Sequence, residues 1–158
     1  MERITLEDYF GPYWLKGEDT AAMHANAMAL LGSVNGALEL AIADGVTLFP
    51  NPKTGTYVSG EGHGGFRDSA CTVGAKASRH RKAMAVDVYD PQRRLATWAI
   101  HNKDRLISLG ILGMERPEWT PTWCHLQIEW VGSRTWCYIP SSAPALADAL
   151  PGQAEALA

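Results

Sequence analysis

The sequence is short of cysteine, of charge of one sign and of long apolar runs. Cys71, Cys124 and Cys137 are its three cysteines in 158 residues. Their odd number and the absence of a Cys-x-x-Cys pair argue against a disulfide framework and a structural zinc knuckle. Fourteen Lys and Arg against 17 Asp and Glu leave a net charge of −3, so no nucleic-acid partner is expected. No apolar run is seen that approaches the ~20 residues of a membrane-spanning helix. The opening Met1-Glu2-Arg3-Ile4-Thr5 lacks the basic-then-apolar pattern of a secretory signal. The expectation is a chain made in the cytoplasm without a signal peptide and without a membrane span. Internal repeats are absent too. What remains is a composition ordinary for a globular protein, 46% hydrophobic and 20% charged, at a length that suits one domain with a real core.

The periodicities predict an α+β fold, a single small domain. Its antiparallel sheet carries a C-terminal hairpin and packs on two main helices. Residues 1–140 would form the domain and 141–158 an Ala/Pro/Leu-rich tail. Thr5-Leu6-Glu7-Asp8 reads as a capping box opening a short helix that stops at Gly11-Pro12, with Tyr9, Phe10, Tyr13, Trp14 and Leu15 packing on the domain. From Asp19 or Thr20, Met23, Ala27, Leu30, Leu31, Val34, Ala37, Leu38 and Ala41 recur at helical spacing as far as Gly45; His24 reads as a surface side chain. Residues 46–49 and 56–59 are short strand candidates. Gly60-Glu61-Gly62-His63-Gly64-Gly65 reads as a mobile loop whose glycines let backbone approach a ligand. Asp90-Pro91 should open a second helix along Leu95, Trp98, Ala99, Leu106 and Leu109, closed by Gly110. Gly132-Ser133 suits a two-residue hairpin turn. That register faces Ile128 with Cys137, Gln127 with Tyr138 and Leu126 with Ile139. Trp123, His125, Gln127, Glu129, Trp136 and Tyr138 then share one face, and Cys124 shares the other with Cys137.

The stretch that draws attention is Ser78-Arg79-His80-Arg81-Lys82-Ala83-Met84-Ala85-Val86-Asp87. Side chains alternate along a strand, so Asp87 shares a face with Ala83, Ala85 and Tyr89, whose small members leave room for a partner. A buried carboxylate requires one. A second histidine, His125, lies in the strand-like Trp123-Cys124-His125-Leu126-Gln127. Two histidines and one aspartate, His80, Asp87 and His125, are a sufficient ligand set for a catalytic Zn2+ with an open fourth position. Cys124 is no nucleophile paired with His125, because neighbours in a strand point to opposite faces. The blander readings are a surface His80 within a basic run and a satisfied sheet histidine at 125.

Phe66-Arg67, Ser78-x-His80, Asp87 and Trp123-x-His125, in that order, resemble the zinc D-Ala-D-Ala carboxypeptidase and L-Ala-D-Glu endopeptidase family. The likeness is greatest to its small phage and prophage members. The family pattern is Ser-Gly-aromatic-Arg, then Ser-x-His-x-x-Gly-x-Ala-x-Asp, then Trp-x-His, and the resemblance spans roughly residues 4–140. It implies a Hedgehog/DD-peptidase-like fold and a peptidoglycan stem peptide as substrate. Metal ligation would fall to His80, Asp87 and His125, and substrate contacts to Arg67 and Ser78. The chain would act on the cell wall after release, or be carried in a virion among phage virion proteins. Three departures stand out. Ala83 replaces the motif glycine, which an ordinary backbone angle would tolerate. Five extra residues separate Ser59-Gly60 from Phe66-Arg67. Thr122 occupies the place of an acid three residues before the last histidine. A zinc peptidase of this type needs a carboxylate within reach of the metal-bound water, and Glu129, four residues along the strand from His125, lies about 13 Å away. Glu115, in a Glu115-Arg116-Pro117 context, is the expected catalytic base, with Glu118 as the other candidate. The alternative reading is a non-catalytic structural or cell-wall-binding component of a phage particle on the same fold.

Overall fold

A computed structural model describes residues 3–16, 21–74 and 77–138. The expected helix start at Asp19 or Thr20, Ile139 and the tail lie outside these. The order is α1 (Leu6–Phe10), α2 (Ala21–Ala43), β1 (Ala85–Tyr89), α3 (Arg94–His101), α4 (Lys103–Ser108), β2 (Gly113–Glu115), β3 (Trp123–Gln127) and β4 (Cys137–Tyr138). The fold is a single small α+β domain around one four-stranded sheet, ordered β1-β3-β2-β4.

Each element follows from local chemistry. Thr5 caps α1 through a complete capping box with Asp8, satisfying two orphan amides reciprocally. α2 buries Ala27, Leu30, Leu31, Val34, Ala37, Leu38 and Ala41 along one stripe and turns out of the helix at Gly45, φ +90°. Buried Asn35 receives the Arg3 and Ile4 amides at 3.0 and 2.9 Å and returns a bond to the Ile4 carbonyl. The N-terminal segment is thereby pinned to α2. His24 is not a free surface histidine; it stacks against both Phe10 and Trp14, with centroids 5.1 and 5.6 Å away. Contrary to the expectation from the sequence, α2 is long and apolar enough to cross a membrane by length and composition, at 23 residues and mean hydropathy 1.3. Its apolar stripe belongs to the same core cluster as the sheet.

Val86 and Val88 of β1, Cys124 and Leu126 of β3 and Met114 of β2 are buried in that cluster. Asp87, His125 and Glu115 alternate with them and point to the opposite face. The second helix begins at Arg94, later than expected, and breaks at Asn102 (φ −115°, ψ 25°) into α3 and α4. Asp90 still serves as its cap, accepting the Leu95 and Ala96 amides at 3.2 and 2.8 Å.

The sheet is antiparallel at β1–β3 and β2–β3, but β2 and β4 run parallel, with Met114 opposite Cys137 and Glu115 opposite Tyr138. The expected hairpin register therefore fails. β2 occupies the edge of β3 that the C-terminal strand was expected to take. Its short Gly113-Met114-Glu115 run carries no alternation long enough to reveal a strand. The local turn pairs only Val131 with Thr135, and both Gly132 and Arg134 adopt positive φ. Trp136 is not on the site face; it is buried in the core, and its indole donates to the Ile111 carbonyl at 3.1 Å. Residues 46–49 form no strand, and of 56–59 only Val58 bridges to β1, at Val88.

Ala83 departs from the expected ordinary backbone. It closes the turn after His80 in the left-handed region, φ 55° and ψ 36°, where a Cβ costs roughly 1–2 kcal/mol. Ala83→Gly should therefore raise stability by about 0.5–1 kcal/mol after the entropic cost of glycine. Thermal unfolding checks this; an unchanged or lower melting temperature would show that the buried Ala83 methyl outweighs the strain.

Candidate metal centre

His80 stands on a single 3-10 turn, Arg79–Lys82. Ser78, expected from the resemblance to touch substrate, caps this turn, its Oγ accepting the His80 amide at 3.3 Å. The turn ends at Ala83, which drops the chain into β1 and sets His80 beside Asp87. Asp87 and His125 are direct cross-strand partners in β1 and β3. The three side chains are buried, and their ligand atoms converge. His80 Nε2 lies 3.3 Å from His125 Nδ1 and 3.4 Å from Asp87 Oδ1, and His125 Nδ1 lies 2.7 Å from Asp87 Oδ1.

This triangle fits a metal ion. Tetrahedral donors with bonds of about 2.0–2.2 Å sit about 3.3–3.6 Å apart, which two edges already match. The third is shorter because a hydrogen bond spans it. Each histidine also has its remote nitrogen on an oxygen acceptor, as ligating histidines do. His80 Nδ1 meets the Gly65 carbonyl at 2.7 Å, and His125 Nε2 meets Gln127 Oε1 at 3.1 Å. His80, Asp87 and His125 can hold a metal ion.

The Gly65 carbonyl was not foreseen as part of the site. The Gly64-Gly65 end of the loop is buried and tightly packed. A Cβ on Gly65 would lie 1.8 Å from the Tyr9 carbonyl oxygen, and one on Gly64 2.2 Å from that of Ser59. Only glycine admits these approaches, so the glycines serve the protein's own backbone. Gly64 O accepts the Asp87 amide at 2.7 Å, and the Ser59 amide bonds Asp87 O at 2.8 Å. Phe66 N bonds Tyr9 O, and the Tyr9 hydroxyl donates to Ala85 O at 3.0 Å. The aromatic N-terminal segment is thus scaffold for the site. The signal for it was the Gly64-Gly65 pair directly before Phe66-Arg67.

Burial alone would raise the Asp87 pKa, but the charge of His80 and the hydrogen bond from His125 hold it well below the ordinary carboxylate range. Burial lowers His80, with partial compensation from Asp87. For His125 burial is outweighed by Glu115 and by the Asp87 hydrogen bond, so its pKa is raised to about 9. Without a metal, the proton of the site therefore resides on His125.

Glu115 is half-buried on β2. Met114 pairs with Leu126, and continuing that register sets Glu115 level with His125. With Tyr138 opposite Glu115, one row across the sheet reads Asp87, His125, Glu115, Tyr138. Burial raises the Glu115 pKa, and His125 partly offsets this. The other carboxylates are engaged elsewhere: Glu118 lies 3.5 Å from Arg116 and Glu129 2.9 Å from Arg79. Thr122 is exposed. Arg67 is buried, donating from Nη2 to Asp87 Oδ2 at 3.1 Å and from Nε to the His63 carbonyl at 2.6 Å. A two-pronged grip on a substrate carboxylate would compete with this pairing. His63 is half-buried against the Cys71 thiol, 3.7 Å away, and all three cysteines are free thiols.

Comparison with protein-family models, with curated proteins and with solved structures finds no match.

Proposed function

We propose that this chain is a zinc-dependent peptidase that cleaves peptidoglycan stem peptides, as a phage endolysin or a virion-associated cell-wall hydrolase. The observation that carries the reading is the placing of Glu115 in one sheet row with two of the three converging ligands, Asp87 and His125. Two imidazoles and one carboxylate suit Zn2+. Three protein donors are the number that catalytic zinc sites use. The peptide and cell-wall class of substrate rests on the resemblance of the Ser78-x-His80, Asp87 and Trp123-x-His125 motifs. Activity on the wall would follow release from the cytoplasm or delivery in a virion.

A bound zinc supplies Lewis acidity for the scissile carbonyl and acidifies water. The chain's own residues do the rest. Glu115, with a pKa raised by burial, accepts a proton from the attacking water and delivers it to the leaving amine. Arg67 neutralises Asp87 Oδ2 and leaves Oδ1 directed at the two histidines. Ser78 acts on His80 through the turn it caps.

Incubation with purified peptidoglycan tests the reading. Zinc-loaded protein is expected to release new amino termini from stem peptides, chelation to stop this, and added zinc to restore it. Zinc-loaded protein that liberates none would instead favour the non-catalytic reading.

A further inference from the structure

We propose that Gln127 is a positioning residue that decides which nitrogen of His125 faces the metal, and that Tyr138 and Gly113 hold its amide in place. The inference rests on the metal-site reading above.

Gln127 is fully buried, next but one to His125 along β3 and on the same face. Its Nε2 lies within hydrogen-bond reach of the Glu129 carbonyl. A carbonyl only accepts, so this contact places the amide nitrogen toward Glu129 and Oε1 on the other side. There Oε1 receives the Tyr138 hydroxyl at 2.6 Å and meets His125 Nε2 at 3.1 Å. An amide oxygen cannot donate, so His125 must carry a proton on Nε2. In the neutral imidazole that leaves the Nδ1 lone pair directed at His80 Nε2 and Asp87 Oδ1. The Tyr138 ring stands edge-on to His125 with centroids 6.3 Å apart, which closes the side away from β1. Gly113, paired with Gln127 across β2 and β3, provides the space. A Cβ there would meet Gln127 Cγ at 3.0 Å and Nε2 at 3.1 Å. The slot thus admits one amide in one orientation.

Zinc affinity by competition with a chromophoric chelator, together with the 15N chemical shifts of the His125 ring in the zinc-loaded protein, tests this. Wild-type protein should show a protonated Nε2 and a metallated Nδ1. Gln127→Met keeps length and removes the acceptor; it should lower zinc affinity by about 10–100-fold, the usual effect of losing a ligand's outer partner. Gln127→Glu restores an acceptor for His125 Nε2 at the cost of the bond to the Glu129 carbonyl and should recover part of the affinity, which a merely space-filling role would not produce. Gly113→Ala should also lower affinity by displacing the same amide, and it serves where Gln127→Met does not fold. Unchanged zinc affinity in either folded variant, or a proton on Nδ1 in the zinc-loaded wild type, would overturn the role of Gln127 while leaving the metal site standing. Wild-type protein that takes up no zinc would overturn the metal site itself, and the role of Gln127 with it.

Discussion

Protein carrying both His80→Ala and His125→Ala is expected to bind no metal, where the wild-type chain is expected to bind a single ion. The two imidazoles supply two of the three converging atoms, and the carboxylate left behind is already paired with Arg67. One carboxylate that shares its charge with a guanidinium is a poor site for a zinc-like ion. Elemental analysis after desalting reads the result, and one retained equivalent would mean that the metal sits elsewhere. Uptake by the wild type should depend on pH. His125 is held at a pKa of about 9 before a metal binds, so binding must release its proton. Apparent affinity should then rise roughly tenfold per pH unit up to about pH 9. The metal-free protein should show the converse in its stability. A pKa raised above the unfolded value of 6.5 stabilises fully below that pH, and the contribution is lost as pH rises through about 9.

Glu115→Gln is expected to bind zinc normally and to cut peptidoglycan at least ~100-fold more slowly, the low end of what a positioned general base contributes. The amide keeps the shape and much of the hydrogen bonding of the carboxylate but cannot accept the water proton. The neighbouring carboxylates cannot replace it without breaking existing pairs, Glu118 with Arg116 and Glu129 with Arg79. Release of amino termini from cell-wall preparations, at matched zinc content, reads the effect. Near-normal cleavage by this variant, with Glu118→Gln inactive, would transfer the role to Glu118. Loss of Glu115 also removes the negative charge that helps raise His125, so the optimum pH for zinc uptake should fall in the variant.

Much of the scaffold was legible along the chain because its determinants are local. The capping box at Thr5, the apolar stripe of α2 and the β-branched alternation around Asp87 each lie within a few residues of one another. The converging group of His80, Asp87 and His125 was legible for a related reason. A carboxylate amid small and apolar neighbours, with two histidines in apolar surroundings, needs partners of opposite character wherever it folds. The chemistry of the residues thus identified His80, Asp87 and His125 as a group before any geometry was known.

Other features depended on contacts between distant segments. The C-terminal strand satisfied a hairpin pattern locally, yet Gly113–Glu115 takes the edge of β3 and carries β4 on its far side. Three residues are too few for a period to register. The same insertion brings Glu115 level with His125. Glycine has no local preference, so the Gly60–Gly65 run carries no signal of its own; only the approach of Tyr9 and Ser59 to Gly65 and Gly64 sets the Gly65 carbonyl against His80. The pairing of Arg67 with Asp87 Oδ2 is likewise invisible in the sequence, because the two lie on segments that only the fold brings together. From the sequence alone came the residue types of the site and the helices that carry the core, since propensity and burial act over short spans. The tertiary structure alone decided strand order, the carbonyl and amide partners that orient each imidazole, and which carboxylate stands beside them. Those are relations between backbones far apart in the chain, and no local pattern encodes them.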